Sequence, residues 1–159
     1  WAVVQPEDRK RRERVHELLG AGEVRAPADY YHAAMVFQHG ENLEDIRLAH
    51  ALSTIAMSLA PDEKRYRWLT APSWDRALTT QLQPQWYGTQ FQSDDNGVFL
   101  YPVADGAVSD DDRKAMQVPT LAEANAQLRE IARMHGQAVD PDPPTIEELR
   151  RTRRSPPQD

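Results

Sequence analysis

The chain is expected to be mainly α: antiparallel helical hairpins, with one small β-hairpin or extended arm near residues 89–103. Three features of the sequence carry this expectation. Apolar residues recur three and four positions apart through "DYYHAAMVFQHG" and "NLEDIRLAHALSTIAMSLA", the period of a helix face. Helix-starting and helix-stopping residues bracket those runs. Between the strand-like runs "TQFQ" and "VFLYPV" stands "SDDNG", whose Asn-Gly pair is the best short hairpin signal in the chain.

The elements follow in order. Residues 8–19, "DRKRRERVHELL", predict a short amphipathic helix with Val15, Leu18 and Leu19 inward, ended by Gly20 and Gly22. Its basic residues read as a solvated face. Residues 29–39 predict a second helix with Asp29 as N-cap and Gly40 just past its end. Tyr30, Ala33, Ala34 and Phe37 share one stripe of it, and His32, Met35, Val36 and His39 share the opposite one. A helix apolar on two faces is normally central, so both histidines are expected in packed surroundings or a cleft. Asn42, with Asp45 in capping-box position, starts a third helix that Pro61 stops. The link before it is short, so the two helices should form an antiparallel hairpin.

"DEKRYRWLT" reads as a further helical segment that Pro72 interrupts, with Ser73 capping "WDRALTTQL" and Pro84 ending it. Successive hairpins give residues 28–82 a tetratricopeptide-like flavour without a strict repeat. Pro102 limits the second strand-like run to an edge or an extended loop. Ser109 with Asp112 and Thr120 with Glu123 predict two capped helices, the latter ending at Gly136. Residues 1–136 are thus expected to form a single helical domain. Residues 137–159, Pro-rich and charged, predict a mobile or surface-draped tail in which "PPTIEELRR" adds at most a turn or two of helix.

Composition narrows the function classes. At 159 residues, 40% hydrophobic and 28% charged, the chain has enough apolar material for a folded core and is unlike a disordered one. A net charge of −6 argues against general nucleic-acid binding, despite the local basic runs "DRKRRER" and "RRTRR". The lack of cysteine excludes disulfides, thiolate zinc sites and cysteine nucleophiles. No apolar run approaches the ~18 residues of a membrane span. Trp1 in place of an initiator Met reads as a trimmed or processed start.

Chemistry-bearing residues fall in three places. His32 and His39 share a helix stripe at i, i+7, about 10 Å apart along the axis, too far to hold one metal directly. No metal or cofactor is expected. His39 and His135 each precede a helix-ending glycine, where an imidazole can bond the last carbonyls. His39 reads either as such a cap or as an acid/base, and His32 either as a satisfied core residue or as a base. Asp75 and Arg76, in "SWDRAL", point different ways on a helix, and a buried member of the pair needs a partner elsewhere. The nearest polar material is "QPQWYGTQFQ". Gly88 allows a sharp turn there, and Gln85, Tyr87, Thr89 and Gln90 bring amide, phenol and hydroxyl groups together. Those groups either face a ligand or satisfy buried backbone at a helix-to-strand junction.

In order, "DYYHAAMVFQHG", "DRAL", "PQWYGTQF" and "DDRKAMQVPTLAE" resemble a family of uncharacterised bacterial proteins. Its members carry a Gln-His pair ending a helix, a later Asp-Arg, a Tyr-Gly-Thr-Gln signature and a terminal Arg…Val-Pro-x-Leu element. The resemblance covers about residues 7–131. It points to His32, Gln38 and His39, to Asp75 and Arg76, and to Gln85, Tyr87, Gly88, Thr89 and Gln90, with Trp86 at a position expected to vary. It also implies export to the periplasm or outside after loss of a signal peptide; the alternative is a cytoplasmic chain.

Three function classes follow. The first is a small-molecule-binding or hydrolytic enzyme. In it His32 or His39 serves as acid/base with Asp75 as orienter and Tyr87 beside them, while Gln38, Arg76, Gln85, Thr89 and Gln90 hold a small polar ligand. The second is a non-catalytic helical module that binds a protein partner in a groove. The third is a toxin, immunity or other accessory protein working through its surface.

Overall fold

The computed structural model describes residues 4–154; Trp1, on which the expectation of a processed start rests, and residues 155–159 lie outside the described residues. Among those described are seven helices and one two-stranded antiparallel sheet, the mainly α fold with a small hairpin. The chain divides into two compact units, Trp1–Ser73 and Trp74–Asp159, where a single domain over residues 1–136 is expected. No described helix is long and apolar enough to cross a membrane.

The first unit holds α1 (Val4–Gly20), α2 (Pro27–Gln38), α3 (Leu43–Leu59) and the start of α4 (Lys64–Thr80). Its core is Ala33, Ala34 and Phe37 of α2 against Ala49 and Leu52 of α3 and Leu69 of α4. Alanines on facing helices let α2 and α3 approach closely, and together they make the expected hairpin. Asp29 does not cap α2 as expected. Pro27 takes the first helical position, and Asp29 reaches back from the third to accept from the Ala26 N–H at 2.9 Å. Asn42 caps α3 as expected, accepting from the Asp45 N–H at 2.8 Å.

One arginine of the basic run on α1 is not solvated. Arg12 is 7% exposed and pairs with Glu41 at 3.0 Å and Asp45 at 3.4 Å. Gly40 makes this possible. A Cβ added there would stand 2.1 Å from the Asp45 Cβ, an atom fixed to the α3 backbone. Gly40→Ala is therefore expected to destabilise the chain by about 1–3 kcal/mol, as overpacking does. Urea denaturation checks it; an unchanged midpoint would show that the α2–α3 link yields freely.

Pro72 does not interrupt the helix at Thr70, and Ser73 does not start a new one. Helix α4 runs continuously through both. Ser73 instead turns its hydroxyl back on the Leu69 carbonyl at 2.9 Å and the Thr70 carbonyl at 3.0 Å, so two carbonyls beside the proline gain a donor. His50 Nδ1 donates to the Thr70 carbonyl at 3.2 Å, and the Ser53 and Ser73 hydroxyls meet at 3.3 Å. Burial holds the His50 imidazole below its ordinary value of 6.5, with the Thr70 bond opposing in part. The folded protein then takes a proton at His50 less readily than the unfolded chain. Stability is full above pH ~6.5 and falls as the pH drops below it. His50→Gln should lose less stability than the parent between about pH 7 and 5. Parallel slopes for the two proteins would remove His50 from that loss.

The second unit holds the rest of α4, β1 (Phe91–Ser93), β2 (Val98–Leu100), α5 (Asp110–Ala115), α6 (Leu121–His135) and α7 (Ile146–Arg154). The hairpin pairs Phe91 with Leu100, Gln92 with Phe99 and Ser93 with Val98. Asp94 Oδ1 accepts from the Asn96 and Gly97 N–H groups and shapes its turn. Helix α6 packs on β2, and Leu128, Ala132 and Phe99 are all buried. Both capping boxes form, Ser109 with Asp112 and Thr120 with Glu123.

The expected mobile tail is built structure as far as residue 154. The Val98 N–H donates to Ala138 at 2.9 Å and the Asp140 N–H to Val98 at 3.0 Å, so residues 138–140 line the second edge of β2. Thr145 and Glu148 cap α7 reciprocally. Arg150 then donates to the Leu82 carbonyl at 2.9 Å and Arg153 to the Thr80 carbonyl at 3.3 Å, a cationic complement to the C-terminal end of α4. Charge that reads as solvation in the sequence is used here to close a helix end.

Candidate functional site

The polar loop forms around two buried ions. Asp75, fully buried on α4, accepts at one oxygen from the Trp86 N–H (2.8 Å) and the Tyr87 N–H (3.0 Å). Its other oxygen accepts from the Thr89 N–H (3.1 Å) and the Thr89 hydroxyl (2.8 Å). A carboxylate has about four lone-pair positions, and the loop fills them. Arg113, 3% exposed on α5, takes the opposite polarity of the same turn. It donates to the Trp86 carbonyl at 2.7 Å and the Tyr87 carbonyl at 3.1 Å. The loop's N–H groups thus converge on the anion and its carbonyls on the cation.

Gln85, also fully buried, ties the two ends of the loop together. Its Oε1 accepts from the Gln90 N–H at 2.8 Å. Its Nε2 donates to the Gln90 carbonyl at 2.9 Å and the Tyr101 carbonyl at 2.7 Å. Its own backbone bonds Pro102 and Ala104. Gly88 turns the chain at φ +80°, and a Cβ there would lie 2.7 Å from Leu121 Cδ2. Of the two readings left open for this stretch, backbone satisfaction describes Gln85. Gln90 Nε2 donates to the Thr89 hydroxyl at 3.1 Å.

Tyr87 is half-buried, and its hydroxyl bonds no described residue. Burial first, then Asp75 and Asp112, push this phenol above its ordinary value, with Arg113 opposing. It stays protonated at neutral pH and is no general base there. Tyr87→Phe should change stability by less than about 0.5 kcal/mol, because no bond is lost. A markedly lower melting temperature would reveal a partner for the hydroxyl. Arg76 is half-buried, and its carbonyl accepts from the Thr79 and Thr80 hydroxyls.

His32 and His39 belong to the first unit and both are exposed, yet each borders a surface hollow, His39 one shared with Asp8, Arg11, Met35 and Val36, so of the two expected settings the cleft describes them and packing does not. The reason lies in α2. Ala33, Ala34, Phe37 and Gln38 are buried, so the core uses one stripe and the His32/His39 stripe faces outward. His39 is the C-cap residue of α2, its N–H bonded to the Phe37 carbonyl. Gln38 is 8% exposed, and its Oε1 accepts no bond from the described residues.

His32 is among the residues that line a hollow of about 250 Å³ between α1 and α2. Val15, Leu18, Val24, Ala33 and Val36 make its apolar lining, and Glu23, Asp29 and His32 supply polar groups. The Glu23 carboxylate bonds no described residue. Asp29 Oδ2 is engaged by the Ala26 and Arg25 N–H groups, and those bonds hold the carboxyl below its usual range, so it is ionised. The described residues contain no group of three acidic or histidine side chains able to hold a metal ion.

Two residues with clear work lie outside the expected site residues: Arg113, the arginine of the Arg…Val-Pro-x-Leu element in "DDRKAMQVPTLAE", and His50. A cation inside a Ser-capped acidic turn reads as surface until the fold brings Trp86 and Tyr87 to it. The geometry defines a helical protein of two units, one with an ion-clamped loop and one with an apolar hollow. No family model, curated protein or solved structure matches the chain.

Proposed function

We propose that this chain is a small-molecule-binding protein of helical fold, with its ligand seated in the hollow between α1 and α2. The observation that carries this is a lining that pairs apolar side chains with Glu23, Asp29 and His32. An apolar recess with a few convergent polar groups is the usual form of a ligand pocket. Two carboxylates beside it favour a compact apolar ligand that carries an amine. The hydrolytic reading loses its orienter, since the loop already occupies Asp75 on both oxygens. On this reading the Asp-Arg and Tyr-Gly-Thr-Gln motifs, which also carry the proposed kinship to the bacterial family, serve architecture. Of the residues to which the resemblance points, only His32 lines the seat.

Calorimetric titration with cyclohexylamine and with cyclohexanol tests it. The amine should bind with Kd near ~1 mM, about −4 kcal/mol, and the alcohol about tenfold more weakly. Val36→Trp should fill the hollow and abolish both. Equal heats for the parent and Val36→Trp would sink the proposal.

A further inference from the structure

We propose that Asn96 is a site of spontaneous modification, converted by water to an aspartyl or isoaspartyl residue at a rate that Asp94 restrains. The chain has three asparagines, and their settings differ. Asn42 precedes Leu43, and its side chain caps α3. Asn125 precedes Ala126 and donates to the Leu121 carbonyl at 2.9 Å. Asn96 is exposed, its carboxamide bonds no described residue, and Gly97 follows it.

The reaction is an attack within the backbone. The Gly97 nitrogen bonds the side-chain carbonyl carbon of Asn96, and the carboxamide C–N bond breaks. Ammonia leaves with the proton that the Gly97 nitrogen gives up. Glycine favours this step because no Cβ stands beside its nitrogen. Water then opens the five-membered imide at either carbonyl. One opening gives aspartate. The other routes the backbone through the side chain and makes it one methylene longer. Asparagine and water are consumed, and the acid and ammonia are formed.

The turn opposes the attack. Asp94 Oδ1 accepts from the Asn96 N–H at 2.8 Å and from the Gly97 N–H at 3.1 Å. The attacking nitrogen must give up that bond before it can react. The Asp94 N–H donates to the Gly97 carbonyl at 3.0 Å and fixes the other end of the same residue. The longer product does not fit this turn. Gly97 is seated tightly on the segment that lines β2: a Cβ on it would stand 2.5 Å from the Ala138 carbonyl oxygen and 2.9 Å from the Asp140 nitrogen. A displaced Gly97 weakens the bonds beside it, from the Val98 N–H to Ala138 and from the Asp140 N–H to Val98. Conversion of Asn96 therefore loosens residues 138–140 from β2.

Ageing the whole chain in warm, mildly alkaline buffer tests this, with peptides followed by mass spectrometry. The mass change from amide to acid is expected at Asn96 and not at Asn42 or Asn125. Asp94→Ala should convert about threefold to tenfold faster than the parent, the effect of losing one net hydrogen bond. Asp94→Ser keeps an acceptor in the turn and should stay nearer the parent's rate. If Asp94→Ala fails to fold, the parent unfolded in urea gives the same comparison, and it should convert faster than the folded parent. Hydrogen exchange at the Asp140 amide should be faster in the isoaspartyl fraction of the aged parent than in aged Asn96→Gln. An Asn96 that stays intact in folded and unfolded chain alike overturns the site. Equal rates in the folded and unfolded parent overturn the restraint by Asp94, and unchanged exchange at Asp140 overturns the loosening.

Discussion

Asp75→Ala is expected to cost about 3–5 kcal/mol, the range seen when one side of a buried, hydrogen-bonded ionic arrangement is removed. Three N–H groups of Trp86, Tyr87 and Thr89 and the Thr89 hydroxyl lose their acceptor at once. Water cannot replace it without opening the second unit, because Asp75 is fully buried. Arg113 would remain on the loop's carbonyls, its remaining carboxylate partner being Asp110 at 3.3 Å. Asp75→Asn sharpens the prediction. An amide keeps the shape but offers one acceptor oxygen and points two donors at donors. It should therefore also destabilise, by more than about 2 kcal/mol. Were Asp75 an orienter of a catalytic histidine, Asn would spare stability and reduce activity. Hydrogen exchange at Trp86, Tyr87 and Thr89 reads the effect locally, and protected amides in Asp75→Ala would contradict it.

Gln85→Leu has the second largest expected effect, about 3 kcal/mol or more. Leucine fits the volume but leaves the Gln90 N–H, the Gln90 carbonyl and the Tyr101 carbonyl unpaired in a buried setting, at about 1–3 kcal/mol for each group that finds no water. The melting temperature should fall by roughly 10 °C for a chain of this size. Gln85→Glu separates the contributions. It keeps an acceptor for Gln90 and loses both donors, so it should be no better than leucine. A Gln85→Leu protein as stable as its parent would mean that the loop is held by Asp75 and Arg113 alone.

The helices and their ends were legible because they are local. Asn42, Ser109 and Thr120 bond residues three positions away, and Gly136 closes its helix, so spacing alone predicts them. The hairpin was legible for the same reason, as a turn whose Asp94 bonds its neighbours. Pro72 misled because a proline's local penalty does not include the α4 packing that overrides it or the Ser73 hydroxyl that serves nearby carbonyls.

What the sequence determined by itself was therefore the mainly helical class, the capped elements, the hairpin, and the grouping of Asp75 with the Gln85–Gln90 stretch in "SWDRAL" and "QPQWYGTQFQ". Tertiary structure decided what those groups are for. Whether an aspartate orients a base or binds three amides depends on which chain segment arrives at it, and that is fixed by packing over 11–14 residues of separation. It also decided which stripe of α2 faces out, because the two stripes differ little in apolar content and only the alanine contacts with α3 select one. The same holds at the C-terminus. Arg150 and Arg153 are 67–73 residues distant in sequence from the groups they bond, so a Pro-rich charged stretch reads as loose tail until the end of α4 is placed beside it.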